Sequence, residues 1–278
     1  MLTALRDSDL ELLRYCHELR FCTIDHLTAL TGRHRQALNL RLKQLIAEKY
    51  IYRIKFPNPN QKHIYSIGSQ GFKYLAYYGA IRLTDVPTRL RTNELKLLFL
   101  SHTLLVTDIH AALILANRDR RYQLADWREG KELYESVTFY RDGTKIRLPV
   151  CPDAFFRIKS LEGGQDLAFA LEADRGTTTH RTFNDKIVGY SKFLEQNRQV
   201  RSYGVKWFRV LTITLTRARA DRLEVLAREN LPIGLRKYFL FGSRASFSLP
   251  KTQGIHEQIF RTAAGAETSL VPSKKLTS

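Results

Sequence analysis

The stretch PDAFFRIKSLEGGQDLAFALEAD, residues 152–174, decides how the chain is read. Two apolar runs, Ala154 to Ile158 and Leu167 to Ala173, flank a turn at Gly163-Gly164, which is the pattern of a β-hairpin. In a strand alternate residues share a face, so Glu172 and Asp174 project together while Phe169, Leu171 and Ala173 project oppositely into a core. The turn carries Asp153, at the start of the first strand, opposite the end of the second. The spacing therefore predicts three carboxylates side by side. Such charges repel, and a divalent cation is the ordinary way to offset them; all-oxygen donors point to Mg²⁺ or Mn²⁺ held by Asp153, Glu172 and Asp174. A metal there can polarise a scissile phosphate and activate a water or hydroxyl nucleophile.

An acidic cluster stands out because the rest of the chain is basic. Its 278 residues include 45 Lys and Arg against 27 Asp and Glu, a net charge of +18. Nucleic acid is the commonest polyanion to neutralise such an excess. With 44% apolar and 11% aromatic residues, general disorder is excluded. No apolar stretch long enough to span a bilayer is evident and the N-terminus turns charged early, so the expected location is cytoplasmic, with no membrane partner. Cys16, Cys22 and Cys151 form neither a CxxC pair nor an even framework, which argues against disulfides and structural zinc.

The sharpest basic excess runs from Arg33 to Lys62, where only Glu48 opposes it. Ser8 and Glu11 fit a capping box opening a first helix with Leu10, Leu13, Cys16 and Leu19 on one face. Thr23 caps a second, Thr31-Gly32-Arg33 is a turn, and a third helix runs from about His34 to Lys49, with Leu38, Leu42, Leu45 and Ile46 inward. Strand-like runs Tyr50 to Phe56 and His63 to Ile67 follow, separated by Pro57 to Gln61. This order is a winged helix-turn-helix, expected over residues 1–85. Arg33, Arg35, Gln36, Asn39 and Lys43 would meet bases or groove-side phosphates of double-stranded DNA, with Arg53, Lys55 and Lys62 in the wing. A closing helix at Gly71 to Gly79 and a linker at Asp85 to Arg91 complete this part.

Beyond the linker, the pattern predicts a helix from Glu94 to Asn117, strands at Trp127 to Leu133 and Thr144 to Val150, the 152–174 hairpin, and a helix from Asn184 to Leu194. A strand from Trp207 to Thr216, a helix from Ala220 to Asn230 and a strand from Lys237 to Phe241 follow, and residues 250–278 lose periodicity and read as a flexible tail. Pro-Asp followed, after a hairpin, by Glu-x-acid and a helix resembles the PD-(D/E)XK nuclease superfamily. The fuller string is His102 to Asp108, Trp127-Arg128-Glu129, Pro152-Asp153-Ala154-Phe155, Glu172-Ala173-Asp174-Arg175-Gly176-Thr177, Lys186 and Tyr190. It resembles the replication-relaxation family, which includes the MOBC-class plasmid relaxases. The resemblance implies an α+β or α/β protein: a winged helix followed, over residues 86–249, by a restriction-endonuclease-like αβββαβ core.

One departure concerns chemistry. Where active members of the superfamily carry Lys two residues after the Glu, this chain has Asp174. Arg175 is adjacent, but it stays protonated and points to the opposite strand face; Lys186, on the following helix, is the preferred substitute. The function so implied is a metal-dependent DNA nicking or relaxing enzyme of a plasmid or other mobile element, acting at a transfer or replication origin, with Glu129 and Lys186 assisting the three acids. Mobilization or replication proteins would be its protein partners. The rival reading is a non-catalytic DNA-binding regulator or replication accessory factor, its acids paired with Arg175, Arg181 and Lys186 and holding no metal.

Overall fold

A computed structural model describes residues 5–54, 62–82, 97–119, 121–249, 254–257 and 259–272. They belong to a mixed α+β protein of two compact units, 1–111 and 112–278.

The first unit contains α1 (Asp7–Glu18), β1 (Cys22–Thr23), α2 (Ile24–Thr31), α3 (Arg35–Ala47), β2 (Ile51–Ile54), β3 (Ile64–Ile67), α4 (Ser69–Tyr77) and most of α5 (Leu97–Ala116). The strands form a small antiparallel sheet in the order β1-β3-β2. Its core is the inward stripe of the helices, with Leu12, Leu13, Cys16, Leu27 and Leu38 fully buried. Thr23 caps α2, as its position in the sequence suggests. The cap of α1 differs: Arg6 is the N-cap and Asp9, not Glu11, turns its carboxylate back to accept the Arg6 N–H at 2.8 Å. Asp9 prevails because it also accepts from Arg41 and so is fixed from two sides. Lys55, the Pro57 to Gln61 loop, the Asp85 to Arg91 linker and the start of the helix at Glu94 lie outside the described residues.

By length and mean hydropathy the run Phe99–Ala116 of α5 would suffice to cross a bilayer, but Asp108 and two histidines interrupt it and 67% of it is buried inside the protein. Asp108 on this helix accepts from His26 Nε2 at 2.7 Å, and Thr107 Oγ1 donates to the Phe21 carbonyl at 2.9 Å.

The second unit is built on β4 (Tyr122–Arg128), β5 (Glu135–Arg141), β6 (Thr144–Val150), β7 (Ala154–Ser160), β8 (Leu167–Asp174), α6 (His180–Glu195), α7 (Arg198–Tyr203), β9 (Arg209–Thr214), α8 (Arg217–Asn230), β10 (Phe239–Ser243), β11 (Phe260–Thr262) and β12 (Glu267–Thr268). Seven strands form one mixed sheet in the order β12-β11-β10-β9-β8-β7-β4. β4, β7 and β8 pair antiparallel, whereas β8, β9 and β10 are parallel, as helical crossovers through α6 and α8 require. Strand β4 stops at Arg128 instead of running to Leu133, because Gly130 takes φ 93° and a 3-10 turn follows at Lys131–Leu133. The partner of Thr144–Val150 is consequently Glu135–Arg141, and β5 and β6 stand as a separate two-stranded hairpin between β4 and β7.

Alternation sorts the sheet's side chains. Phe155, Ala168 and Ala170 join Phe183, Ile187, Tyr190 and Phe193 of α6 and Leu223 and Ala227 of α8 in one cluster. On the opposite face, Phe156 stacks on Trp127 at 5.5 Å and on Phe169 at 4.9 Å. Fully burying one such ring stabilises by roughly 1.5–3 kcal/mol. The expected tail beyond residue 250 is corrected at its centre: β11 adds antiparallel to β10 and β12 to β11. Strands of three and two residues are too short to show a period.

Candidate functional site

The 152–174 hairpin forms in the expected register, with Ala154 opposite Leu171 and the Asp153 N–H bonded to the Leu171 carbonyl at 2.9 Å. That register puts Asp153 beside the end of β8, where its Oδ2 accepts the Ala173 N–H at 2.8 Å. Glu172 and Asp174 both project to the side covered by α6 and α8, and both are buried, at 4% and 5% exposure. Each is met by a different helix. Glu172 Oε2 pairs with Lys186 Nζ, and its Oε1 accepts from the Tyr190 hydroxyl at 2.6 Å. Lys186 and Tyr190 are four apart on α6 and so share the face turned to the sheet. Asp174 Oδ2 instead pairs with Arg219 Nε at 2.8 Å, and Arg219 Nη2 also donates to the Thr178 carbonyl at 2.6 Å. Its other oxygen, Oδ1, is buried without a hydrogen-bond partner among the described residues.

This geometry corrects the three-acid cluster. Among the described residues no group of three or more His, Cys, Asp or Glu is placed to hold a metal ion. Arg219 draws Asp174 to α8, leaving Asp153 and Glu172 as neighbours. Glu129 is elsewhere: its Oε1 accepts from Trp127 Nε1 at 2.7 Å, and Trp127 lies on the sheet face away from α6. Lys186 reaches Glu172; Arg219, which the sequence reading did not include among the partners of the acids, takes Asp174. Nothing in the sequence announces that pair, whose members are 45 residues apart.

The electrostatics follow from burial. Desolvation pushes the Glu172 carboxyl up to about 7, the Lys186 charge and the hydrogen bonds from Lys186 and Tyr190 only partly opposing it, and Asp153 adds to the rise. Burial opposes the charge on Lys186, but Glu172 and Asp153 outweigh it and hold the ammonium protonated. Burial also drives the Tyr190 phenol well above its ordinary value, with Glu172 adding to the effect. The result is a carboxyl able to gain or lose a proton near neutrality, fixed by an ammonium and a phenol, beside a second carboxylate. That combination suits proton transfer.

In the first unit, Arg35, Gln36, Asn39 and Lys43 of α3 are exposed together, with Leu40, 64% exposed, among them. Arg33 donates to the Ser8 carbonyl, which ties it to α1. Asp25 of α2 joins Arg35 to Lys62, the latter at 2.9 Å, so one acid brings the start of α3 and the approach to β3 together. The Lys62 hydrogen bond holds the Asp25 carboxyl below its usual value. Arg53 is half-buried on β2. Arg41, part of the basic run, turns inward to Asp9 at 2.9 Å. The geometry therefore leaves Gln36, Asn39 and Lys43 as the outward face, steadied by Arg35 and Lys62.

The model of the replication-relaxation family matches residues 13–207, from within α1 to the segment before β9. No curated protein and no solved structure matches the chain.

Proposed function

Because the chain belongs to the replication-relaxation family, we propose that it is a DNA-binding protein of a plasmid or other mobile element that nicks one strand at a transfer or replication origin. In this reading the first unit is a winged helix that lays α3 in the major groove, and the second is a restriction-endonuclease-like core. Supporting the first is the exposed set of Gln36, Asn39 and Lys43, whose amide and ammonium groups suit base edges and phosphates. Supporting the second is the order β4, β7, β8, α6, β9, an antiparallel meander, a helix and a parallel strand.

The observation that carries the catalytic part is Glu172, buried against Lys186 and Tyr190 next to Asp153. Asp153 and Glu172 are neighbours at the end of β8, and every ligand atom they offer is oxygen. Such a set fits Mg²⁺ or Mn²⁺ held by Asp153 and Glu172, since these ions take one or two protein carboxylates and complete their shell with water and phosphate. A bound divalent ion would supply Lewis acidity at the scissile phosphate. Lys186 partly offsets the desolvation of Glu172 and offers its ammonium to phosphate oxygens; Tyr190 fixes the carboxylate's orientation. The test is supercoiled DNA carrying the origin of the protein's own element, incubated with protein and Mn²⁺. Wild type is expected to yield open circles and Asp153→Ala or Glu172→Ala to abolish them; equal conversion by all three proteins overturns the assignment.

One observation favours a second reading. Both Glu172 oxygens are engaged by protein groups and Asp174 is committed to Arg219, which is how a structural ion-pair network looks. A non-catalytic regulator or accessory factor would keep salt-sensitive DNA binding and show no heat on calorimetric titration with Mn²⁺.

A further inference from the structure

The β5–β6 hairpin lies outside the proposed core, and its two faces differ. Val137, Phe139, Ile146 and Leu148 are inward or half-buried, with Lys192 of α6 over the Phe139 ring at 5.8 Å. The outward face pairs Tyr140 with Lys145 and Thr138 with Arg147, all exposed, and Tyr140 is 71% exposed. Tyr134, 63% exposed, precedes β5 at the base of the same hairpin. There a cleft of about 570 Å³ opens between Tyr134, Glu135, Ser136, Arg147, Pro149 and Cys151, the Glu135 carboxylate being taken up by Arg198 at 3.2 Å and Ser202 at 2.6 Å. Cys151 is two residues from Asp153 along the chain, so the lining of the cleft comes within two residues of a proposed catalytic acid.

Exposed aromatic rings interleaved with Arg and Lys are the chemistry of single-strand recognition: every base offers a π-face to stack, and the cations follow the phosphates. A duplex, its bases already stacked, has no use for Tyr134 or Tyr140. We infer that the outward face of the β5–β6 hairpin and the cleft at its base bind single-stranded DNA and lead it to Asp153 and Glu172. The inference rests on the proposed DNA-nicking reading and adds that the strand reaches the second unit unpaired.

The test uses the full chain and two probes measured by fluorescence anisotropy, a 20-nucleotide oligo(dT) and a duplex carrying the origin, without metal. Tyr134→Ala and Tyr140→Ala are each expected to weaken oligo(dT) binding at least about fivefold, to leave duplex binding unchanged, and to be rescued by Tyr→Phe. Arg147→Ala is expected to lower the salt slope for oligo(dT) by about 0.7. Equal oligo(dT) affinity in wild type and both alanine variants, or duplex binding with none to oligo(dT), overturns the inference and leaves the DNA-binding reading intact. Absence of binding to either probe overturns both. Tighter binding of oligo(U) than of oligo(dT) overturns DNA as the occupant.

Discussion

Replacing Glu172 by Gln tests whether burial governs the site. The carboxyl titrates near 7 in the folded protein, against 4.5 for an ordinary glutamate. An acid whose folded value is raised binds its proton more tightly when folded, so its contribution is unfavourable above about 7 and vanishes below 4.5. That gap, at roughly 1.4 kcal/mol per pH unit, links at most about 3.5 kcal/mol of stability to pH. Lys186, held protonated, does not titrate in this window. Glutamine keeps an acceptor for the Tyr190 hydroxyl but presents an amide to the ammonium, at a constant cost of about 1–2 kcal/mol. The informative quantity is therefore the difference in slope. In urea denaturation with chelator, wild type should gain about 1–3 kcal/mol on the variant between pH 8 and pH 5. Parallel curves for the two proteins would mean that Glu172 titrates alike folded and unfolded, and the account of a desolvated proton-exchanging carboxyl would fail.

Arg219→Ala leaves the Asp174 charge buried and unpaired, so unfolding free energy should drop by about 3–5 kcal/mol in the same assay. Asp174→Asn, by contrast, should retain nicking if Asp153 and Glu172 hold the metal; a folded variant without nicking would return Asp174 to the metal. Burial raises the Asp9 carboxyl, but the hydrogen bonds from Arg41 and the Arg6 amide outweigh it and leave it below 3.8. Its stabilisation is thus complete at neutral pH and lost as pH falls below that value, and Asp9→Asn, which costs about 3 kcal/mol at pH 7, should flatten the acid limb of the stability curve.

How much of this was legible depended on how local the signal was. The hairpin at 152–174 and the side-chain alternation that puts Glu172 toward α6 were readable, because strand period and turn residues are local. So was the Lys186 contact, since a helix following β8 must pack on the sheet. The fate of Asp174 was not, because it is decided by Arg219 from a helix two crossovers later. The capping box at Ser8 and Glu11 had the right residue types, yet Asp9 won through its long-range tie to Arg41. The strand expected at Trp127 to Leu133 lies instead at Tyr122–Arg128, because residues 127–133 carry only two apolar side chains and the backbone turns at Gly130. With β4 ended there, β5 and β6 pair with each other apart from the main sheet, and Tyr134 and Tyr140 fall on the face turned away from α6.

The short strands at the C-terminal end have a consequence for solubility. All five residues of β10, Phe239–Ser243, are buried, and Phe260 of β11 packs so closely on Gly242 that a Cβ there would lie 2.5 Å from the ring. β11 also occupies the main-chain groups of Leu240 and Phe241 on that side. Ending the chain at Leu249, where the sequence suggests a dispensable tail, would bare an apolar strand with an unpaired edge, a template for pairing with other molecules. The five residues of β11 and β12 thus act as a guard against self-association, and the shortened chain should precipitate before it loses its fold.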